Sequence, residues 1–181
     1  MIRKLAVLLF ALFALPALAA EVAGVKLDDK ITLGGKEVVL NGAGIRTRAF
    51  FKVYVASLYL PAMAAVLAKG PRRIQMNLLR TLSADQLVDA LLEGLAANNA
   101  PAKLAAVKPQ TDELARIMKG FGEVKEGNVV TIDFVDSATR IGFNGEPKGS
   151  IGGEPFNKAL TRVWLGEKPV QDDLKKAMLG G

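Results

Sequence analysis

The alternation of hydrophobic and polar positions is strongest between Phe51 and Leu60. In an extended segment, the odd-numbered residues from 51 to 59 share one face and the even-numbered residues from 52 to 60 share the other. Both faces are mostly apolar, and Val, Tyr and Phe favour strands. The pattern therefore predicts a central strand that is covered on each side and ends at Pro61.

A segment containing two glycines precedes this strand. Gly42 and Gly44 permit a positive φ or a close approach, so a bulge or sharp turn there would direct Arg46 and Arg48 towards whatever the sheet encloses. Cationic groups beside an apolar wall suit an amphipathic carboxylate or phenolate. The alternative interpretation is that both arginines are solvated at a strand edge.

A second alternating segment runs from Arg72 to Arg80. The even-numbered residues from 74 to 80 share one face, so strict alternation places the Arg80 side chain on the apolar side. A buried unpaired charge is costly, so Arg80 would need a protein carboxylate, a group of carbonyl oxygens or an anionic ligand. Alternatively, the strand ends at Leu79 and Arg80 turns to solvent or pairs with Asp85.

Helical spacing of apolar residues follows this strand. Ser83 and Gln86 have the spacing of a capping box, which predicts the start of a long helix. Residues 101–107 predict a further helical turn before Pro109, and Thr111 is the predicted cap of the next helix. A short alanine-rich helix is also predicted, from Met63 to Ala68, between the two strands described above.

In the second half of the chain, predicted strands are again followed by predicted helices. Residues 124–151 alternate as strands, with a tight hairpin turn at Asn144-Gly145, and Pro147 places the last strand at a sheet edge. Two helices follow, one through Trp164 and one after Pro169. Strands, helices, strands and helices in this order predict an α+β fold with helices on one face of an antiparallel sheet.

The first 19 residues have the composition of a signal peptide. Arg3 and Lys4 precede an apolar run from Leu5 to Leu15, and a small-x-small cleavage site ends at Ala19. Cleavage there would leave residues 20–181 as a single periplasmic or secreted domain with no stable membrane insertion. An uncleaved membrane anchor is the alternative, although the apolar run is short for a membrane span.

The missing residue types exclude several kinds of chemistry. The chain has no histidine and no cysteine, so it cannot form a Ser-His-Asp triad or an ordinary zinc, haem or copper site. The segment from Asn41 to Gly44 lacks the lysine of a P-loop and the third glycine of a dinucleotide-binding motif, so we predict no cofactor. The net charge of +6 occurs without basic runs, which argues against nucleic-acid binding. None of these features specifies an oligomeric state.

Several blocks of the sequence resemble the chalcone isomerase family, particularly its bacterial chalcone-isomerase-like branch. They are GAGIR at 42–46, FKVYVASLYL at 51–60, RTLS at 80–83, and NKAL, WLGEKP and DLK between 157 and 175. The resemblance spans nearly all of the chain after residue 20. It implies an open-faced β-sandwich, in which helices cover one face of a large antiparallel sheet and a ligand cleft lies between them.

The resemblance also implies roles for individual residues. Plant members of the family cyclise chalcones to flavanones, and Arg46 matches the arginine that sits over the attacking phenolate. Related plastid members bind fatty acids, and Arg80 falls where they place a carboxylate-holding arginine. The remaining family positions differ here: the catalytic threonine falls at Tyr54, the active-site tyrosine at Leu87, the asparagine at Gly94, and two cleft-lining residues at Val163 and Trp164.

These differences favour ligand binding over catalysis, because losing several preorganised donors lowers a rate by orders of magnitude. The first hypothesis is therefore a protein that binds a small amphipathic anion, such as a fatty acid or an aromatic acid. Arg46 or Arg80 would hold the charged head, and Tyr54, Leu87 and Trp164 would line the tail.

Two further hypotheses remain. The chain could be an intramolecular lyase of the chalcone isomerase type, in which Arg46 holds the phenolate and Tyr54, assisted by Lys52 on the same strand face, donates a proton. It could also be an interaction module without a ligand, which becomes preferable if Trp164 and Met178 fill the cleft.

Overall fold

The computed structural model describes residues 20–62 and 70–181. The predicted signal peptide and the predicted helix from Met63 to Ala68 lie outside these residues. The strands are β1 (Ala20–Val22), β2 (Val25–Leu27), β3 (Lys30–Leu33), β4 (Lys36–Arg48), β5 (Phe51–Leu60), β6 (Arg72–Leu78), β7 (Leu82–Ser83), β8 (Glu123–Val124), β9 (Val129–Val135), β10 (Ala138–Phe143) and β11 (Glu146–Gly152). The helices are α1 (Ala84–Asn98), α2 (Pro101–Ala106), α3 (Lys108–Lys119), α4 (Glu154–Leu165) and α5 (Asp172–Met178).

A seven-stranded antiparallel sheet forms the centre of the fold, in the order β11-β10-β9-β6-β5-β4-β3. The predicted central strand is confirmed, because β5 lies between β4 and β6 and is apolar on both faces. Its even-numbered residues from 54 to 60 belong to the main core beneath the helices. Tyr59 belongs to a smaller cluster on the opposite face, together with Leu33, Val38 and Val135.

The glycines of β4 allow α5 to approach the sheet closely. A Cβ atom at Gly42 would lie 2.2 Å from the carbonyl oxygen of Ala177, and one at Gly44 would lie 2.7 Å from the Ala177 Cβ. Neither glycine has a positive φ, so the close approach is what requires them. The predicted irregularity is present as two register shifts in the pairing with β5, one at Leu40/Gly42 and one at Arg46/Thr47.

The helices lie over one face of the sheet, where α5 contacts β4, α4 contacts β10 and α3 contacts β11. The capping box of α1 is confirmed, because Ser83 Oγ accepts a hydrogen bond from the Gln86 backbone nitrogen and the Gln86 side chain accepts one from the Ser83 nitrogen. The prediction that Thr111 caps α3 is wrong. This helix begins at Lys108, because Pro109 fits its first turn instead of ending the preceding segment.

The C-terminal elements follow the predicted pattern. Asn144 and Gly145 connect β10 to β11 with positive φ angles, and β11, which contains Pro147, is an edge strand. Within the described ranges, no helix has both the length and the apolar composition needed to cross a membrane.

Candidate functional site

Arg46 and Tyr54 are direct partners in the pairing of β4 with β5. The Arg46 side chain is half-buried, and its Nη1 donates hydrogen bonds to the Thr47 carbonyl oxygen and, at 3.3 Å, to Gln171 Oε1. None of the carboxylates in the described residues forms an ion pair with it. The guanidinium is therefore held in place by neutral groups, and no carboxylate in the described residues balances its charge.

Gln171, the residue that precedes α5, connects this helix to the end of β4. Its Oε1 also accepts hydrogen bonds from the Thr47 backbone nitrogen at 2.8 Å and from Thr47 Oγ1 at 3.2 Å. Its Nε2 donates to the Ile45 carbonyl oxygen at 3.3 Å. One amide side chain thus fixes the backbone on both sides of Arg46, which orients the arginine.

The Tyr54 hydroxyl lies inside the core and accepts a hydrogen bond of 3.2 Å from Trp164 Nε1. Burial raises the pKa of this hydroxyl, because the phenolate form loses its hydration. The hydrogen bond from Trp164 and the positive charge of Arg46 oppose that rise without cancelling it. Tyr54 is consequently neutral at physiological pH. Lys52, its predicted assistant, is exposed and does not contribute to the pKa of Tyr54.

Arg80 occupies a different environment from the one its alternation predicts. β6 ends at Leu78, so the alternation does not extend to Arg80. The half-buried Arg80 guanidinium lies 4.6 Å from the centroid of the Phe51 ring, as a cation–π pair. Asp85, its predicted alternative partner, pairs instead with Lys119 at 3.1 Å. Among the described residues, Arg80 has no acidic partner.

The strand pairing places Arg46 and Arg80 at the same end of the sheet. Tyr54 pairs with Arg46 on one side and with Leu78 on the other, and the chain continues from Leu78 in the same direction to Arg80. The Leu79 backbone nitrogen extends this pairing by donating to the Val53 carbonyl oxygen at 2.9 Å. Two cationic side chains therefore flank the first half of β5.

The other predicted site residues are part of the core. Leu87 of α1 and Trp164 of α4 are buried in the same cluster as Tyr54, and Met178 of α5 is also fully buried there. A Cβ atom at Gly94 would lie 2.7 Å from Val163 Cγ1, so the asparagine that the family resemblance implies here would require the Val163 side chain of α4 to move. The space between sheet and helices is filled by side chains around Trp164 and Met178.

One arginine outside the predicted set of site residues, Arg72, also faces the helices. Arg72 is the first residue of β6 and shares a face with the buried residues Ile74, Met76 and Leu78. The alternation that predicts an inward-facing Arg80 applies equally to Arg72, at the opposite end of the strand. Arg72 lines a cavity, whereas Arg46, Tyr54 and Arg80 do not line that cavity.

The relationship to known proteins agrees with this architecture. Residues 19–180 match the family model described as chalcone isomerase-like. The chain belongs to the chalcone isomerase-like family. No curated protein matches it. Among solved structures, it is similar to the crystal structure of the Arabidopsis thaliana fatty-acid binding protein AtFAP1, with a TM-score of 0.68 and 13% sequence identity, over 86% of this chain and 92% of that chain.

The comparisons confirm two expectations from the sequence: the family resemblance and the fold, a large antiparallel sheet with helices laid over it. At 13% identity, the likeness to AtFAP1 establishes the fold alone. The roles of Arg46, Tyr54, Arg80, Leu87 and Trp164 stay predictions. In the described part of the chain, no three acidic side chains are grouped so that they could hold a metal ion.

Proposed function

We propose that this chalcone isomerase-like protein binds a small amphipathic anion, such as a fatty acid or an aromatic acid, in the periplasm or outside the cell. The observation that carries the proposal is the pair of half-buried arginines, Arg46 and Arg80, at one end of the sheet. Neither has a carboxylate partner among the described residues. The likeness to a protein whose printed name is fatty-acid binding protein supports the choice of ligand class.

Arg46 would hold the anionic head group. Gln171 already fixes its orientation, so little conformational entropy would be lost when it binds a carboxylate. A tail entering between sheet and helices would pass Tyr54 and Leu87 and would displace Trp164 or Met178, which are completely buried. Binding would therefore break the hydrogen bond between Tyr54 and Trp164 and change the fluorescence of Trp164, the single tryptophan of the chain.

The isomerase alternative has less support. A proton donor must reach the substrate, yet the Tyr54 hydroxyl is buried beneath Trp164 and its raised pKa makes it a weaker acid. We expect naringenin chalcone to lose its absorbance in the presence of the protein only at the spontaneous rate. A faster rate that disappears in Arg46→Ala would support catalysis instead.

A second candidate function, an interaction module without a ligand, is favoured by one observation. Trp164 and Met178 are each 0% exposed, so the side chains themselves fill the region of the family's cleft. This candidate differs from the first in a simple way: it predicts no small molecule in protein purified from cells, and no saturable binding of fatty or aromatic acids.

The deciding experiment is native mass spectrometry of the purified protein, followed by titration with sodium oleate and sodium cinnamate while Trp164 fluorescence is monitored. Removing a hydrogen-bonding charge costs about 1.5–3 kcal/mol, so Arg46→Ala or Arg80→Ala should weaken binding roughly 10- to 100-fold. The matched control is Arg140→Ala, an exposed arginine of β10. Unchanged occupancy in both test variants would reject these residues as the site, and no binding by the wild type would favour the interaction module.

A further inference from the structure

A cavity of about 530 Å³ lies at the end of the sheet opposite Arg46. It is bounded by the start of β6, by the end of β9, and by the side of α4 that carries Asn157, Thr161 and Leu165. Its volume falls within the range of roughly 300–1,000 Å³ that is common for small-molecule sites. It is distinct from the Arg46–Arg80 end of the sheet, because β6 begins at Arg72 beside the cavity and ends at Leu78 beside Tyr54.

Arg72 is the group that gives this cavity its chemistry. Its guanidinium carbon lies 4.4 Å from the centroid of the Phe134 ring, and its Nη2 donates a hydrogen bond of 2.8 Å to Thr161 Oγ1. The Thr161 hydroxyl donates in turn to the Asn157 carbonyl oxygen at 2.7 Å, so its lone pairs are directed to Arg72. Nε of Arg72 is buried and has no hydrogen-bond partner in the structure described.

The neighbouring Arg73, unlike Arg72, has a carboxylate partner. Arg73 points to the opposite face of the sheet, where it forms two hydrogen bonds with the Asp133 carboxylate, at 2.6 and 2.7 Å. This hydrogen bonding raises the pKa of Arg73, whereas burial lowers the pKa of Arg72. Across residues 20–62 and 70–181, no carboxylate pairs with Arg72, so no opposite charge compensates for the partial desolvation of its guanidinium.

The rest of the cavity lining combines basic and apolar side chains, which suits an organic anion. Among the described residues, four basic side chains, including Lys36 and Arg162, line it against two acidic ones. One of the acids, Glu154, already pairs with Lys158 at 2.8 Å. Phe134 and Leu165 supply apolar walls beside these charges. Inorganic ions would leave the apolar walls unused, whereas a carboxylate on an aromatic or short aliphatic body would contact both.

We propose that this cavity is an anion-binding site for a small organic carboxylate, whose charged group is bound by the Arg72 guanidinium and whose apolar body packs against Phe134 and Leu165. The bound carboxylate would neutralise the half-buried Arg72, which no carboxylate among the described residues pairs with. It does not rest on the function proposed for the Arg46–Arg80 end, and the two sites can be occupied independently. Lys36 and Arg162 attract the anion and contribute less to its affinity, because exposed charges are screened.

Sodium benzoate is a suitable probe, titrated into the full chain in phosphate-free buffer and followed by calorimetry. We expect saturable binding that is weakened at least tenfold in Arg72→Gln and changed less than twofold in the control Arg140→Gln. Neutral benzamide should bind at least tenfold more weakly than benzoate. Equally tight benzamide binding, or no saturable benzoate binding by the wild type, would overturn the proposal.

The Arg46→Ala variant distinguishes benzoate binding in the Arg72 cavity from binding at the Arg46–Arg80 end of the sheet, where the proposed function lies. Benzoate binding that survives Arg46→Ala and is lost in Arg72→Gln supports the cavity as the site. Binding that is lost in Arg46→Ala and kept in Arg72→Gln overturns it and supports the other end of the sheet. Inorganic phosphate that competes as well as benzoate would show that the apolar walls play no part, which also contradicts the proposed ligand class.

A second measurement on the wild type covers the case in which Arg72→Gln does not fold. In two-dimensional NMR spectra, benzoate should shift the backbone amide signals of Asn157 and Thr161 on the cavity wall. The amide signals of Ile45 and Thr47, at the other end of the sheet, should stay within experimental error. Shifts confined to Ile45 and Thr47 would place the benzoate elsewhere and refute the cavity as its site.

Discussion

Trp164 Nε1 donates a hydrogen bond of 3.2 Å to the hydroxyl oxygen of Tyr54, and both side chains are buried. The bond joins α4 to the central strand β5 beneath the helices. It gives the indole N–H its partner in a region where water could not supply one. The same bond fixes the only tryptophan beside one of the two tyrosines, which makes this contact measurable by fluorescence.

We predict that Tyr54→Phe lowers the free energy of unfolding by about 1–3 kcal/mol, because it leaves the buried Trp164 N–H without a partner. Tyr59→Phe is the matched control. The Tyr59 hydroxyl is also buried but has no hydrogen-bond partner in the described structure, so its removal should cost little or be stabilising. Urea unfolding followed by Trp164 fluorescence measures both. Equal destabilisation by the two substitutions would contradict the assigned hydrogen bond.

A second prediction concerns alkaline pH. Burial raises the pKa of both Tyr54 and Tyr59 above 10.0. Well below pH 10, neither the folded nor the unfolded chain ionises these residues, so they do not make stability depend on pH. Above pH 10 the unfolded chain loses protons that the folded chain retains. The free energy of unfolding should then fall by up to about 1.4 kcal/mol per pH unit for each tyrosine.

Urea unfolding at a series of pH values, with tyrosinate absorbance recorded in parallel, tests this dependence. Tyrosinate should appear together with unfolding and not before it. Tyr54→Phe should reduce the steepness of the loss by the contribution of one tyrosine. Tyrosinate formation near pH 10 in a chain that is still folded would show that the hydroxyls are accessible to solvent and would refute the assigned burial.

Local sequence patterns predicted much of this fold and less of the site. The alternation of β5, the capping box at Ser83 and the hairpin at Asn144 depend on near neighbours, so each could be read from the chain. The hydrogen bonds of Gln171 to residues around Arg46 span about 125 positions and leave no local pattern. No local sequence pattern indicates that β6 ends at Leu78. Because the strand ends there, the alternation correctly places Arg72 but does not apply to Arg80.

The glycines of β4 lead to a third prediction. Gly44→Ala should lower the free energy of unfolding by about 1–3 kcal/mol, because the new methyl group would collide with Ala177 and Leu174 of α5 and force the helix off the sheet. Gly152→Ala, in the edge strand β11, is the matched control, because nothing lies within 4 Å of the added Cβ. Thermal unfolding compares the two variants. A Gly44→Ala protein as stable as Gly152→Ala would mean that α5 is not closely packed on β4.

The fourth prediction compares a half-buried ion pair, Arg73–Asp133, with an exposed one, Lys108–Asp112. Asp133→Asn should lower the free energy of unfolding by about 1.5–3 kcal/mol, because it removes the charge that compensates the half-buried Arg73. Asp112→Asn removes the partner of Lys108 in an exposed pair and should cost at most about 1 kcal/mol.

Urea unfolding at low and high salt distinguishes these cases. The effect of Asp112→Asn should shrink with added salt, whereas that of Asp133→Asn should persist, because a buried pair is poorly screened. Adding Arg73→Met to Asp133→Asn should recover part of the lost stability, since an apolar side chain needs no counter-charge. No recovery in the double variant would mean that Asp133 stabilises the sheet through contacts other than Arg73. In that case Arg73 would not need a carboxylate partner, and the lack of one at Arg72 would be less significant.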